Sequence, residues 1–283
     1  MPCHVAGEAG GGGAVSLRRV YLKHLDRNAV LGRRVPVRPP RLKLGDYLKD
    51  AVAPATCDWS KPAYTALTDV YMNDRLGDCV IAAAYHGLAV ASGNAGRLFT
   101  ATNQQILADY EAIGGYNPND PNSDQGCDEK TALEYYAKHG FADGTKLSGW
   151  VSVDPANQNE IRQAIYLFEN LLFGVGLPDA WLSPPPSANG FVWDVAAGNN
   201  DNGHAFEGVG YTPLGVQIDT WGLIGSITWR AVAELASLYV WLTPDIISKA
   251  TGKSPLGFDY KTLQADFAAL PKPSLCSMVK GLF

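Results

Sequence analysis

The sequence predicts an α+β fold in which a helical lobe comes first and an antiparallel, β-rich lobe follows. Strong helical patterns fill the first half of the chain, at residues 79–93, 101–115 and 128–141. Short apolar runs separated by Gly, Asn and Pro begin near residue 171, which is the pattern of an antiparallel sheet. Because helices and strands are segregated rather than alternating, a parallel βαβ arrangement is not expected.

The chain divides into an arm, a main domain and a tail. Its 283 residues, 46% of them hydrophobic, suffice for a large buried core. The predicted units are an arm at 1–50, a domain at 51–245 and a C-terminal tail at 246–283. Within the domain, the helical lobe is expected at about 75–148 and the β-rich lobe at about 149–245.

The arm is basic and the remainder is acidic. Residues 1–50 carry ten Lys or Arg against four Asp or Glu, a net charge of +6, and the rest of the chain carries −11. The glycines of 10–13, with Pro36, Pro39 and Pro40, favour extended backbone. We expect this arm to bind a protein partner or a second copy of the chain, the alternative being a solvated linker. The arm has few aromatic residues that could stack on bases, so nucleic-acid binding is not expected.

No apolar stretch approaches the length of a membrane-spanning helix, so no membrane association is expected. The first fifteen residues lack the charged and apolar regions of a secretory signal. The expected location is therefore cytoplasmic or virion-associated.

Each element carries a local signal. Asp78 occupies the N-cap position of the apolar helix 79–93, and a further helix is predicted at 159–170. The predicted strands lie in the segments LLFGVGL, GFVWDV, HAFEGVGYT, GVQIDTWG and SLYVWLT.

The five cysteines include no CxxC pair and no Cys/His cluster at zinc spacing, so neither a structural zinc nor a dense disulfide framework is expected. The stretch DPNSDQGCDEKT begins like a calcium loop, but Gln125 stands at the required Gly and Thr131 at the closing Glu. No metal and no cofactor is predicted.

Cys79 is the candidate nucleophile, because it opens its helix and the N-terminal dipole favours a thiolate. Downstream, GHAFEGVGY carries His204 and IDTWG carries Asp219, on strands that can pair. In this scheme His204 exchanges the proton and Asp219 holds the imidazole tautomer. Asn73 and the Cys79 backbone N–H would receive the oxyanion. His86, on the same helix face as Cys79, is interpreted as packing.

Four blocks in order resemble the papain-like cysteine peptidases over about residues 58–240. They are CDWSKPAYTALTDVYMNDRLGDCVIAAA, QGCDEKTALEYYAKHGF, GHAFEGVGY and IDTWG. The resemblance implies a papain-like fold with the cleft between the lobes. It places site residues at Asn73 (oxyanion hole), Gly77 and Asp78 (supporting), Cys79 (nucleophile), His204 (base), Asp219 (orienting residue) and Trp221 (shielding aromatic).

The chain departs from the family pattern at several positions. Asn73 is one methylene shorter than the family's Gln, and Asp219 replaces its Asn. Glu129 and Lys130 stand where the family has a Gly-Gly pair that lets the substrate backbone approach the cleft. Their side chains would obstruct peptide binding or alter its selectivity. Leu76 replaces the cysteine that would pair with the position of Cys127, and the arm does not resemble the family's inhibitory propeptide.

Two functions follow from these observations. The first is a cysteine peptidase or amidase that forms a thioester acyl-enzyme at Cys79 and acts on a peptide or amide substrate. The alternative is a non-catalytic assembly protein, such as a bacteriophage capsid-decorating or tail-associated protein, that uses the domain as a scaffold and the arm for subunit contacts.

Overall fold

A computed structural model of the chain describes residues 17–37, 40, 42–48, 52–183, 185–198, 200–244, 246 and 259–270. The glycine-rich start of the arm and most of the predicted tail lie outside these residues. So do two of the five cysteines, and the three described cysteines have free thiols.

One helix lies at the centre of the molecule. Helix α2, Cys79–Asn94, is buried along nearly its whole length, as expected for a helix that is apolar on every side. The other helices pack around it or against the sheet. They are α1 (Tyr64–Leu67), α3 (Asn103–Gly114), α4 (Glu129–Lys138), α5 (Gln158–Phe168), α6 (Trp229–Leu235) and α7 (Tyr260–Ala269).

Eight strands form one sheet that packs against α2 through its central strand. The first two strands of the chain form a separate hairpin, β1 (Arg18–Leu22) and β2 (Arg27–Leu31). The sheet contains β3 (Cys57–Asp58), β4 (Gly149–Val153), β5 (Leu172–Leu177), β6 (Val192–Trp193), β7 (Asn202–Tyr211), β8 (Gly215–Thr220), β9 (Leu223–Thr228) and β10 (Ala236–Leu242).

The strand order is β4-β10-β5-β7-β8-β9-β6, with β3 paired to β7, and every pair is antiparallel except β6 with β9. Strand β7 thus lies between β5 and β8. Its register places His204 opposite Val175 of β5, and Glu207 opposite Asp219 of β8. This central position brings the two strands with predicted site residues side by side.

The structure corrects several local expectations. Part of the extended arm is the β1–β2 hairpin, whose apolar residues Val20, Leu22, Ala29 and Leu31 are buried. Part of the tail is helix α7. The strands β4 and β9 and the helix α6 were not predicted, because their patterns are short and only partly alternate.

Two large apolar clusters meet at α2. One fills the space between α2, α3 and α4, where Tyr136 stacks on Phe141 with ring centroids 3.9 Å apart. The other lies between the sheet, α5 and the hairpin, and includes the stacked pair Phe173 and Phe206. Among the described residues no helix is both long enough and apolar enough to cross a membrane.

Candidate active site

Cys79 begins helix α2 and is only 1% exposed. Burial raises the pKa of its thiol to about 12, although hydrogen bonds from the backbone of Gly32 and Ala205 act in the opposite direction. Burial therefore opposes the thiolate that the position at the helix N-terminus was expected to favour. Cys79 is a neutral thiol in the structure.

His204 lies on β7 and lines the same cavity as Cys79, a space with room for about one water molecule. Its Nε2 atom is 2.8 Å from the hydroxyl of Thr220. Its Nδ1 atom has no hydrogen-bond partner among the described residues. Burial lowers the pKa of the ring to about 3, so His204 is a neutral imidazole.

Asp219 does not hold His204, contrary to the sequence prediction. Neighbouring residues of a strand face opposite sides of the sheet, so Thr220 faces His204 while Asp219 faces α2. There Asp219 Oδ2 lies 2.7 Å from Nδ1 of His86, whose Nε2 is 3.1 Å from the carbonyl oxygen of Asp69. Burial raises the pKa of Asp219, and the His86 ring opposes that shift. His86, which was interpreted as packing, is buried and makes these two polar contacts in addition.

Trp221 covers His204 as expected, with ring centroids 4.3 Å apart. Its φ of +51° lies in the left-handed region that a bulky residue rarely adopts. The indole Nε1–H donates to Oδ1 of Asn73 at 2.9 Å. This contact links the loop after β8 to the loop before α2, and it offsets the backbone strain.

The side-chain amide of Asn73 is fully engaged. Its Nδ2 atom donates to the carbonyl oxygens of Val30, at 2.8 Å, and of Leu76, at 3.1 Å. As an oxyanion donor Asn73 is therefore occupied in this conformation, by a peptide carbonyl of the arm.

Residues 30–34, here called the cleft segment, lie between the two lobes. Backbone hydrogen bonds join this segment to both sides. They are Val30 N–H to Asn73 O (2.8 Å), Cys127 N–H to Gly32 O (3.1 Å), Arg33 N–H to Gly203 O (3.1 Å) and Arg34 N–H to Cys127 O (2.8 Å). Together with the Gly32 contact to the sulfur of Cys79, they make the cleft segment a polypeptide bound across the candidate nucleophile.

Glycines make this close approach feasible. A Cβ atom on Gly32 would lie 1.9 Å from the carbonyl oxygen of Gly77, and one on Gly126 would lie 1.6 Å from that of Gly32. A Cβ atom on Gly203 would lie 2.1 Å from the carbonyl oxygen of Arg33. Close approach of a peptide backbone, which the family resemblance assigned to the positions of Glu129 and Lys130, is thus made possible by Gly126.

Glu129 and Lys130 have separate environments. Glu129 is fully buried and its Oε1 accepts from Nε of Arg33 at 2.8 Å, so it contacts the cleft segment rather than blocking the cleft. Lys130 Nζ lies 2.6 Å from Oε1 of Glu134, one turn later on α4, and this ion pair fixes the position of the Lys130 side chain.

The two supporting residues before Cys79 behave differently. Gly77 N–H donates to Oδ1 of Asp124 at 3.0 Å, which fixes the loop before α2. Asp78 precedes the helix as predicted, but its side chain makes no cap hydrogen bond. Burial holds the pKa of Asp78 well above its usual range.

Sequence reasoning missed four residues of the site: Gly32, Arg33, His86 and Thr220. Only Gly32 and Arg33 left a signal, because a Gly followed by two Arg ends the apolar run of β2. The described ranges hold no cluster of three or more His, Cys, Asp or Glu side chains suited to a metal ion.

The fold is papain-like, as comparison with solved structures shows. Xylellain, a cysteine protease from Xylella fastidiosa, matches at a TM-score of 0.61 and 15% identity, over 81% of this chain and 99% of its own. Procathepsin B S9 from Trypanosoma congolense matches at 0.53 and 12% identity, over 75% of this chain and 86% of its own.

Digestive procathepsin L 3 of Tenebrio molitor matches at a TM-score of 0.51 and 15% identity, over 75% of this chain and 76% of its own. No family model and no curated protein matches the sequence. The predicted α+β, papain-like fold is thereby confirmed. Because the sequence identities are low, these matches support a conclusion about the fold only.

We expect Gly32→Ala to expose Cys79. The added methyl cannot fit beside the Gly77 carbonyl, so the cleft segment must move away from the sulfur. The rate of Cys79 alkylation by iodoacetamide at neutral pH, followed by peptide mapping, should rise about tenfold or more. Val35→Ala, at a residue that is 74% exposed, is the matched control and should leave the rate unchanged. Equal rates in Gly32→Ala and wild type would contradict the closed cleft.

We expect His204→Gln to weaken the pH dependence of stability between about pH 6.5 and pH 4. The unfolded ring binds a proton near its ordinary pKa of 6.5, whereas the folded ring stays neutral down to about 3. The wild type therefore loses stability as pH falls through this window, by up to about 1.4 kcal/mol per pH unit from this residue.

Urea unfolding at a series of pH values measures the effect. His139→Gln, at an exposed ring, is the control substitution. Parallel curves for His204→Gln and wild type would show that His204 is not buried as a neutral ring.

Proposed function

We propose that the protein is a cysteine peptidase or amidase in which Cys79 is the nucleophile and His204 the general base. One observation carries this proposal: an extended peptide, the cleft segment, lies across Cys79 and hydrogen-bonds to both lobes. A cleft that binds backbone in this manner can hold a substrate peptide with its carbonyl groups beside the thiol.

The proposed chemistry begins with proton transfer from the Cys79 thiol to Nδ1 of His204, the ring nitrogen that has no hydrogen-bond partner among the described residues. The thiolate attacks the substrate carbonyl carbon and forms a C–S bond, and the carbonyl oxygen takes the negative charge. As the C–N bond breaks, His204 returns the proton to the leaving amine. Water then attacks the thioester carbonyl carbon, and His204 accepts one of its protons. The C–O bond forms, the C–S bond breaks and the acid product leaves, while His204 returns the proton to the Cys79 sulfur.

Thr220 takes the positioning role that the sequence assigned to Asp219. Its hydroxyl holds Nε2 of His204, which leaves Nδ1 directed elsewhere, and Trp221 stacks on the ring to limit its rotation. A hydroxyl can accept from Nε2–H, and in the tautomer proposed here it does so while Nδ1 is unprotonated. The proposed triad is therefore Cys79, His204 and Thr220.

Asn73 is suited to receive the oxyanion once the cleft segment leaves. Its Nδ2 already donates to a peptide carbonyl in the cleft, that of Val30, and departure of Val30 frees this N–H. The backbone N–H of Cys79 at the start of α2 is the second proposed donor.

In the resting form the cleft is closed and the Cys79 thiol is unreactive. With a thiol pKa of about 12 and an imidazole pKa of about 3, proton transfer between Cys79 and His204 is strongly unfavourable while both are buried. Removal of the cleft segment admits water, lowers the first pKa and raises the second. Activity therefore requires displacement of residues 30–34.

The assembly alternative has no comparable support. Residues 18–34 of the arm are engaged by their own chain through the hairpin and the cleft segment. Binding of a protein partner or a second copy through residues 1–50 stays a prediction.

The test is hydrolysis of a fluorogenic peptide mixture by the Gly32→Ala chain. We expect turnover in this variant, and a loss of about a hundredfold or more when Cys79→Ala or His204→Ala is added. Cys57→Ala in the same background is the control, because Cys57 lies on β3 outside the cavity. Turnover that survives Cys79→Ala would overturn the proposal.

A further inference from the structure

A buried acidic pocket beside the cleft holds the side chain of Arg33. The guanidinium donates through Nε to Oε1 of Glu129 and through Nη2 to the hydroxyl of Ser237, both at 2.8 Å. The Arg33 side chain is 8% exposed and that of Glu129 is 0% exposed. Ser237 in turn donates to the carbonyl oxygen of Gly174 at 3.1 Å, which fixes its hydroxyl.

The pocket lies next to the candidate nucleophile. Gly32, the residue before Arg33, contacts the sulfur of Cys79, and the backbone of Arg33 donates to Gly203, the neighbour of His204. A peptide that binds along the same path therefore places one side chain in this pocket and the adjacent residue over the thiol.

The pocket suits a guanidinium group better than other side-chain groups. Oε2 of Glu129 has no hydrogen-bond partner among the described residues, so a second N–H of a planar fork can be accepted there. A Cβ atom on Gly174 would lie 1.3 Å from Oε1 of Glu129 and 2.7 Å from Nε of Arg33. Glycine at that position keeps the space in which carboxylate and guanidinium meet.

Electrostatics make an empty pocket unfavourable. Burial raises the pKa of Glu129 and the charge of Arg33 opposes this shift. When the cleft segment leaves, Glu129 loses its cationic partner. A buried carboxylate stripped of its partner is strongly unfavourable, so a ligand that supplies a cation to this site is favoured over one that does not.

We propose that the Glu129 pocket recognises an arginine side chain of the peptide that enters the cleft, and that Arg33 is its internal occupant. The substrate class is a peptide with arginine next to the residue that lies over Cys79. As a statement about substrates it rests on the proposed function, while the pocket itself is testable by binding alone.

The binding test uses the full chain with Arg33→Ala and adds ethylguanidinium, the end of an arginine side chain. At about tenfold excess over its dissociation constant, ethylguanidinium should raise Tm by about 2–4 °C. Ethylammonium, of equal charge but without the fork, is the matched probe and should have a smaller effect. If Arg33→Ala does not fold unaided, the readout is recovery of folded protein with each probe.

Glu129→Gln in the Arg33→Ala background should abolish the response to ethylguanidinium. Equal responses to the two probes, no response to either, or a response that survives Glu129→Gln would each overturn the pocket.

The substrate test uses the Gly32→Ala chain and two peptides that differ only by arginine or citrulline at one position. Citrulline has the shape of arginine without its charge. We expect kcat/KM to be about tenfold or more higher for arginine, and Glu129→Gln to bring the ratio toward one.

The outcomes separate the two proposals. Equal cleavage of both peptides overturns the arginine preference and leaves the peptidase intact. Cleavage of neither peptide, together with a Glu129-dependent response to ethylguanidinium, overturns the peptidase and supports the pocket as an arginine-binding site.

Discussion

The close approach of two backbones at Gly32 is the constraint on which the site depends. Because Gly32, Gly77 and Gly126 present no side chains to one another, the cleft segment lies low enough to contact the Cys79 sulfur. Its hydrogen bonds then join the helical lobe at Asn73 and Cys127 to the β-rich lobe at Gly203. Any larger residue at these glycines would hold the lobes apart and open the cavity to water.

Burial turns this geometry into control over reactivity. The same contacts that exclude water keep Cys79 and His204 neutral, and they occupy an N–H of Asn73 that an oxyanion would need. The ion pair between Arg33 and Glu129 fixes the segment in place from the side. Departure of residues 30–34 would therefore let Cys79 and His204 ionise, free the N–H of Asn73 and vacate the acidic pocket in one event.

The sequence predicted the order of helices and strands and the meeting of Cys79 with His204 in one cavity, because both depend on strong local patterns and a family resemblance. It did not predict which face of β8 carries Asp219. That orientation follows from strand register, which a single sequence leaves open, so Thr220 and His86 were missed. The course of residues 30–34 was equally hidden, since contacts distant in sequence determine it.

Amide hydrogen exchange of the intact protein, resolved by residue, tests the closed cleft most directly. The N–H groups of Val30, Arg33 and Arg34 should exchange slowly, because they donate to Asn73, Gly203 and Cys127, while those of exposed Val35 and Val37 exchange fast. If all five amides exchange at the rate of an unstructured chain, residues 30–34 do not occupy the cleft and the account fails.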